Sequence, residues 1–222
     1  MNATVSRVKT STLLVICGLF AALSCVAAQA QAAGKPDFSG IWMQDRGNWV
    51  VDRLPFTPVG AAKHASKQTP NAIEACTLHY FGQIITGPLP VEILRSDKRV
   101  TLIYENDHEV RRVFMDGRKH PKELDPTTMG HSIGWWEGKT LVIETVGLRA
   151  GWFRPEGVPY TEQARVLERL TLDDSGNKIH VALTLEDPEY YVKPVDVTRE
   201  LTRMPEGEIL EDLCVVSDYL YK

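Results

Sequence analysis

From Val91 onward the chain repeats one pattern, and that pattern excludes most architectures. Short runs rich in Val, Ile, Leu, Thr and aromatic residues span 91–95, 99–105, 109–116, 131–136, 139–147, 164–173, 178–186, 194–203 and 209–216. Turn chemistry separates them: Ser96-Asp97-Lys98, Glu105-Asn106-Asp107, Asp116-Gly117-Arg118, Glu137-Gly138-Lys139, Asp173 to Asn177, and Pro205-Glu206-Gly207. Links this short join antiparallel neighbours, because a parallel crossover takes a dozen or more residues. No long amphipathic helix is available for βαβ units. The expected fold is all-β, an antiparallel meander of eight or nine strands. At that strand number a sheet curls into a barrel or splits into a sandwich, which protects its edges.

The segment ahead of the meander is different. Residues 51–95 are punctuated by Pro55, Pro58, Pro70, Pro88 and Pro90 and carry no strong amphipathic period. One short helix is expected over Val59–Lys67, and the whole stretch is expected to cover an end or a face of the sheet. Ser39-Gly40-Ile41-Trp42 is a Gly-x-Trp leading into a strand. It resembles the opening of lipocalins and related calycins, which implies a tryptophan closing one end of a barrel. Plain core packing accounts for Trp42 equally well.

Residues 1–30 have the layout of a secretory signal. Arg7 and Lys9 form a positive n-region, Leu13–Val26 is apolar, and Ala28-Gln29-Ala30 is a small-x-small cleavage site. The apolar run is short for a membrane span. The expectation is a periplasmic or secreted chain with one domain over 31–222 and no membrane span. Removing the signal takes 25 Lys+Arg to 23, against 29 Asp+Glu, a formal charge of −6. An acidic chain is a poor partner for nucleic acid, whose binding is dominated by phosphate neutralisation. Cys76 and Cys214 then remain of four cysteines, and in an oxidising compartment they are expected to pair.

Groups able to move protons or grip a ligand concentrate between Tyr104 and Gly147. His108, His120 and His131 lie there, with Arg111, Arg112, Asp116 and Glu144. A histidine can act as acid or base near neutral pH, with a carboxylate orienting its second nitrogen. This suggests cofactor-independent acid–base chemistry of the lyase, isomerase or hydratase type on a small apolar or aromatic molecule. His131, His108, Glu144, Arg112, Arg111, Tyr104 and Asp116 are the candidate catalytic set. Strand alternation puts Arg111 and Arg112 on opposite faces, and periodicity does not choose which points inward. Each residue also has an ordinary structural reading: His108 in a polar turn, Asp116-Gly117 as a hairpin turn, Glu144 as a buried and paired carboxylate.

Other chemistries fit less well. Gly130-His131-Ser132-Ile133-Gly134 is a literal G-x-S-x-G, but a strand rather than a helix is expected after it, so the serine-hydrolase context fails. The three histidines lack any H-E-x-x-H spacing, and no metal is assigned. No Gly-rich phosphate loop precedes a helix, so no cofactor is expected. A non-catalytic lipocalin-like binder is the main alternative. Trp135, Trp136, Trp152, Tyr190 and Tyr191 would then line a site for a hydrophobic ligand.

The whole mature chain also resembles a group of exported bacterial proteins known mainly from genomes. The shared stretches are Pro36–Trp42, Tyr104–Pro121, Gly130–Gly147, Glu186–Pro194 and the late Cys214. Trp135 departs from the group, which more usually carries a basic residue there. The resemblance implies export and a shared fold and suggests no reaction.

Overall fold

Eleven strands form in the structure, a computed structural model describing residues 34–45, 47–48, 53–67, 80–154 and 157–211. In chain order they are β1 (Gly40–Gln44), β2 (Pro90–Ser96), β3 (Arg99–Tyr104), β4 (Val110–Phe114), β5 (His131–Glu137), β6 (Thr140–Val146), β7 (Gly151–Arg154), β8 (Val158–Tyr160), β9 (Arg165–Leu172), β10 (Lys178–Glu186) and β11 (Val195–Arg203). Nine of them close a barrel in the order β1-β11-β10-β9-β6-β5-β4-β3-β2. The expected all-β, lipocalin-like barrel is therefore present, and closure leaves none of the nine as a free edge.

Alternation builds the core. Val166, Leu170, Ile179, Val181, Leu183, Val197 and Leu201 are buried at alternate positions, while His180, Ala182 and Thr198 between them are exposed. Trp42 is fully buried on β1 and donates its indole N–H to Phe38 O at 2.9 Å. The Arg203 guanidinium lies 4.1 Å from the Trp42 ring centroid and covers the buried ring.

Three details differ from the sequence expectation. First, one pairing is parallel. β4 meets β5 through Val113↔Ser132 and Phe114↔Ile133, while the other eight barrel pairings are antiparallel. Asp116-Gly117 is thus no hairpin turn. It opens the long 115–130 crossover, and Gly117 supplies its positive φ of 78°. Second, the ninth barrel strand is β1. No strand forms over 209–211, and 212–216 lies outside the described residues. Third, β7 and β8 form a separate two-stranded sheet between β6 and β9 that periodicity did not reveal.

The 51–95 stretch contains α1 (Pro58–Ala65) and the five-residue α2 (Phe81–Ile85). The Thr57 hydroxyl caps α1 by accepting from Gly60 N at 3.0 Å, and Pro58 suits the first turn. α2 is buried, with Phe81, Ile84 and Ile85 fully enclosed. It packs on β7, where a Cβ added at Gly82 would fall 2.3 Å from Phe153 Cα, so only glycine permits that approach. The chain divides into Met1–Lys35 and Pro36–Lys222, and only Gly34 and Lys35 of the first unit are described. The signal-peptide segment, Cys76 and Cys214 lie outside the described residues. Among those described, no helix is long and apolar enough to cross a membrane.

Candidate functional site

Alternation distributes the candidate residues over two faces of one wall. Arg111 points inward beside Val113 and is 1% exposed, while Arg112 points outward and is exposed. On β5, Ser132 faces in and His131 out; on β6, Thr145 faces in and Glu144 out. Two separate polar clusters result, one on each side of the sheet.

The outer cluster is a chain of hydrogen bonds. Arg165 on β9 donates through Nε to Glu144 Oε2 at 2.8 Å, and its Nη2 reaches the same oxygen. Its Nη1 bonds Glu186 Oε2 at 2.9 Å. The other Glu144 oxygen, Oε1, lies 3.1 Å from His120 Nε2, and His120 Nδ1 lies 2.8 Å from His131 Nδ1. The carboxylate only accepts, so His120 Nε2 carries a proton. In the tautomer in which His120 Nδ1 accepts, His131 Nδ1–H donates to it and the lone pair of His131 is on Nε2. Burial lowers the His131 pKa below the ordinary histidine value, and the charges of His120 and Arg118 act in the same direction. His131 is thereby neutral at pH 7.

Aromatic and cationic groups surround the end of this chain. The Phe114 ring stacks on His131 with centroids 5.3 Å apart, and the Arg118 guanidinium carbon lies over the same Phe114 ring, 3.9 Å from its centroid. Asp116 fixes Arg118 through Oδ2 to Nη2 at 2.6 Å. Those hydrogen bonds hold the Asp116 carboxyl at about 2, well below the usual range. Asp116 acts here by positioning Arg118.

The hydrogen bonds of the inner cluster draw on six strands. Arg111 donates from Nε to Ser132 Oγ at 3.0 Å and from Nη2 to Thr145 Oγ1 at 2.7 Å and Glu168 Oε2 at 2.5 Å. Glu168 Oε1 is 3.5 Å from Arg199 Nη2, and Arg199 Nη1 donates to Gln44 Oε1 at 2.9 Å. Gln44 Nε2 continues to Leu89 O at 3.1 Å. The Phe81 ring of α2 lies 5.0 Å from the Arg111 guanidinium carbon. Tyr104 is buried beside these groups, and desolvation raises its pKa.

The catalytic shortlist therefore separates. His131 and Glu144 are joined, through His120, and Arg112 shares their outer face. Arg111 and Tyr104 belong to the interior. His108 does not join either cluster: it is exposed, with a positive φ of 54°, in the 3-10 turn Asn106–His108 ahead of β4. His131 and Phe114 lie toward the other end of that strand. Among the described residues no group of three or more His, Cys, Asp or Glu is placed to hold a metal.

The five expected ligand aromatics do not converge. Trp135 is exposed and donates to Glu137 Oε1 at 3.0 Å. Trp136 packs on Phe38 with Arg95 against its ring. Trp152 lies under Lys63, and Tyr190 is partly buried against the core. Tyr191 is a structural residue, donating to Pro159 O at 2.7 Å and stacking on Phe56. Ser132 is no nucleophile elbow: it lies inside β5, buried, bonded to Arg111 and Thr145 rather than to a histidine.

Sequence reasoning missed Gln44, Glu168, Arg165 and Arg199. The signal for Glu168 and Arg199 was present, since each is a charge at the buried parity, between Val166 and Leu170 and between Val197 and Leu201. Gln44 and Arg165 carried no comparable mark. Comparison with known proteins gives no match to a family model and none to a curated protein.

Proposed function

We propose that this is an exported, cofactor-independent acid–base enzyme of the lyase or isomerase type, with His131 as the general base on the outer wall of the barrel. The observation that carries the reading is the chain Arg165–Glu144–His120–His131. It engages both carboxylate oxygens and joins them through His120 to His131 Nδ1, and the proposed tautomer leaves the lone pair at His131 Nε2. A base oriented by a second group is the arrangement that proton abstraction needs. When His131 takes a proton, His120 and Glu144 accept the charge through existing hydrogen bonds without rearrangement.

The substrate class follows from the neighbours. Phe114 offers an aromatic face, and Arg118 and the exposed Arg112 place positive charge where an enolate or similar carbanion would gain negative charge. A small organic molecule with an acidic C–H beside a carbonyl suits these groups. Export rests on the sequence of residues 1–30.

A neutral reporter of base strength tests this without knowledge of the substrate. 5-Nitrobenzisoxazole opens when a base removes its C–H proton. The wild-type chain is expected to open it faster than free imidazole at equal concentration, by about 10²-fold or more. The rate is expected to rise with pH through the His131 titration seen by NMR and to vanish in His131→Ala. A wild-type rate no better than imidazole, or one unchanged in His131→Ala, overturns the proposal.

A further inference from the structure

The interior cluster carries more positive than negative charge. Arg111 and Arg199 face one carboxylate, Glu168, and all three are nearly fully buried, at 1%, 5% and 2% exposed. Ser132, Thr145, Gln44 and Tyr104 add hydrogen bonds or polarity but no charge. Among the described residues one positive charge is left over in this low-dielectric core, which is costly unless an anion joins it.

Among the described residues, three polar groups of the same cluster make no well-formed hydrogen bond, although Arg111 and Tyr104 interact weakly with each other. They are Arg111 Nη1, Arg199 Nε and the Tyr104 hydroxyl. Arg111 and Tyr104 lie close enough that each perturbs the other's titration, and Tyr104 also feels Glu168 and Arg199. Buried donors left unpaired are rare, so a group that accepts hydrogen bonds belongs among them. Water accepts hydrogen bonds but leaves the charge uncompensated. A small carboxylate satisfies both requirements, because it has four lone-pair positions and one negative charge.

Beside Arg199 the barrel wall is completed by the chain after β1 rather than by a paired strand. β1 pairs with β11 only from Trp42↔Arg203 to Gln44↔Leu201, so Val195–Glu200 has no β1 partner. The chain after β1 crosses there, with Asp45 N donating to Glu200 O at 3.1 Å and Asn48 N to Thr198 O at 3.1 Å. A groove of about 570 Å³ lies on the outer side of this seam, lined by Asp45, Asn48, His180, Thr198 and Glu200, with Val181 and Arg199 of the inner face contributing to it.

We propose that the barrel interior binds the carboxylate of a small organic acid between Arg111, Arg199 and Tyr104, reached through the seam beside β11. This site is separate from the His131 chain on the outer wall and goes beyond the acid–base reading. Tyr104 contributes a hydroxyl to the ligand, Arg111 and Arg199 the charge, and Glu168 bridges the two guanidinium groups.

Calorimetric titration with sodium acetate, with sodium chloride as the comparison, tests it on the full chain. Saturable acetate binding and a matching rise in melting temperature are expected. Tyr104→Phe removes a hydroxyl whose protein neighbour is Arg111, so its melting temperature without acetate should fall by no more than about the worth of one hydrogen bond, a few degrees. Its acetate affinity should fall about tenfold, the worth of one hydrogen bond to a charged acceptor. Arg199→Met should abolish binding, and if that variant fails to fold, Tyr104→Phe still decides. No saturable response, or equal affinity in Tyr104→Phe, overturns the site. Chloride binding as tightly as acetate overturns its assignment to a carboxylate.

Discussion

Replacing Glu168 by Gln tests whether the interior is organised by charge. The carboxylate holds Arg111 Nη2 at 2.5 Å and lies 3.5 Å from Arg199 Nη2. The substitution keeps the volume and leaves two buried guanidinium groups with no counter-charge. At a separation of roughly 4 Å and an effective dielectric of about 20, one lost ion pair is worth about 4 kcal/mol. Measured losses on breaking buried pairs are about 3–5 kcal/mol. For a domain of this size that is a fall in melting temperature on the order of 6–20 °C. Arg111 keeps Ser132 and Thr145 as partners, which places the expected result toward the lower half of that range. The assay is thermal and urea unfolding at pH 7, with Glu144→Gln as the control. Glu144 pairs with Arg165 on the outer wall, where the guanidinium is 37% exposed, and its loss should cost about 1 kcal/mol or less. If Glu168→Gln unfolds within about 1 kcal/mol of the wild type, the interior charges are not held as described.

Trp42→Ala removes the fully buried ring that Arg203 covers; about 3–5 kcal/mol should be lost in urea unfolding. Gly82→Ala forces a methyl against Phe153 and should cost about 1–3 kcal/mol, read as a lowered melting temperature with little change in β content by circular dichroism. The pH dependence of stability carries the sign of the His131 shift. Its folded pKa lies below its unfolded value of about 6.5, so below that pH the unfolded chain binds more protons and stability falls as pH falls. His131→Gln should flatten that part of the stability curve, and an identical slope in the variant would contradict the assignment.

Local patterning was enough to read the barrel strands, the Glu137-Gly138 turn, a short helix over Val59–Lys67 and the burial of Trp42, because each follows from side-chain alternation or from a few adjacent residues. It was enough, too, to say that Arg111 and Arg112 point to opposite faces, and to mark His131 and Glu144 as worth pairing. Which arginine faced the core had to wait for the neighbouring strands. So did the partner of His131. His120 lies on the crossover 115–130, and a segment without a period gives no direction to its side chains.

The parallel β4–β5 contact, the closure by β1 and both polar clusters depend on pairings between strands distant in the chain. Gln44, Arg111, Ser132, Thr145, Glu168 and Arg199 come from six different strands. Alternation makes each a member of an inner face, but a face in isolation has no partners. Their hydrogen bonds exist because closing the barrel brings six inner faces around one axis, and the excess positive charge exists only once those faces are counted together.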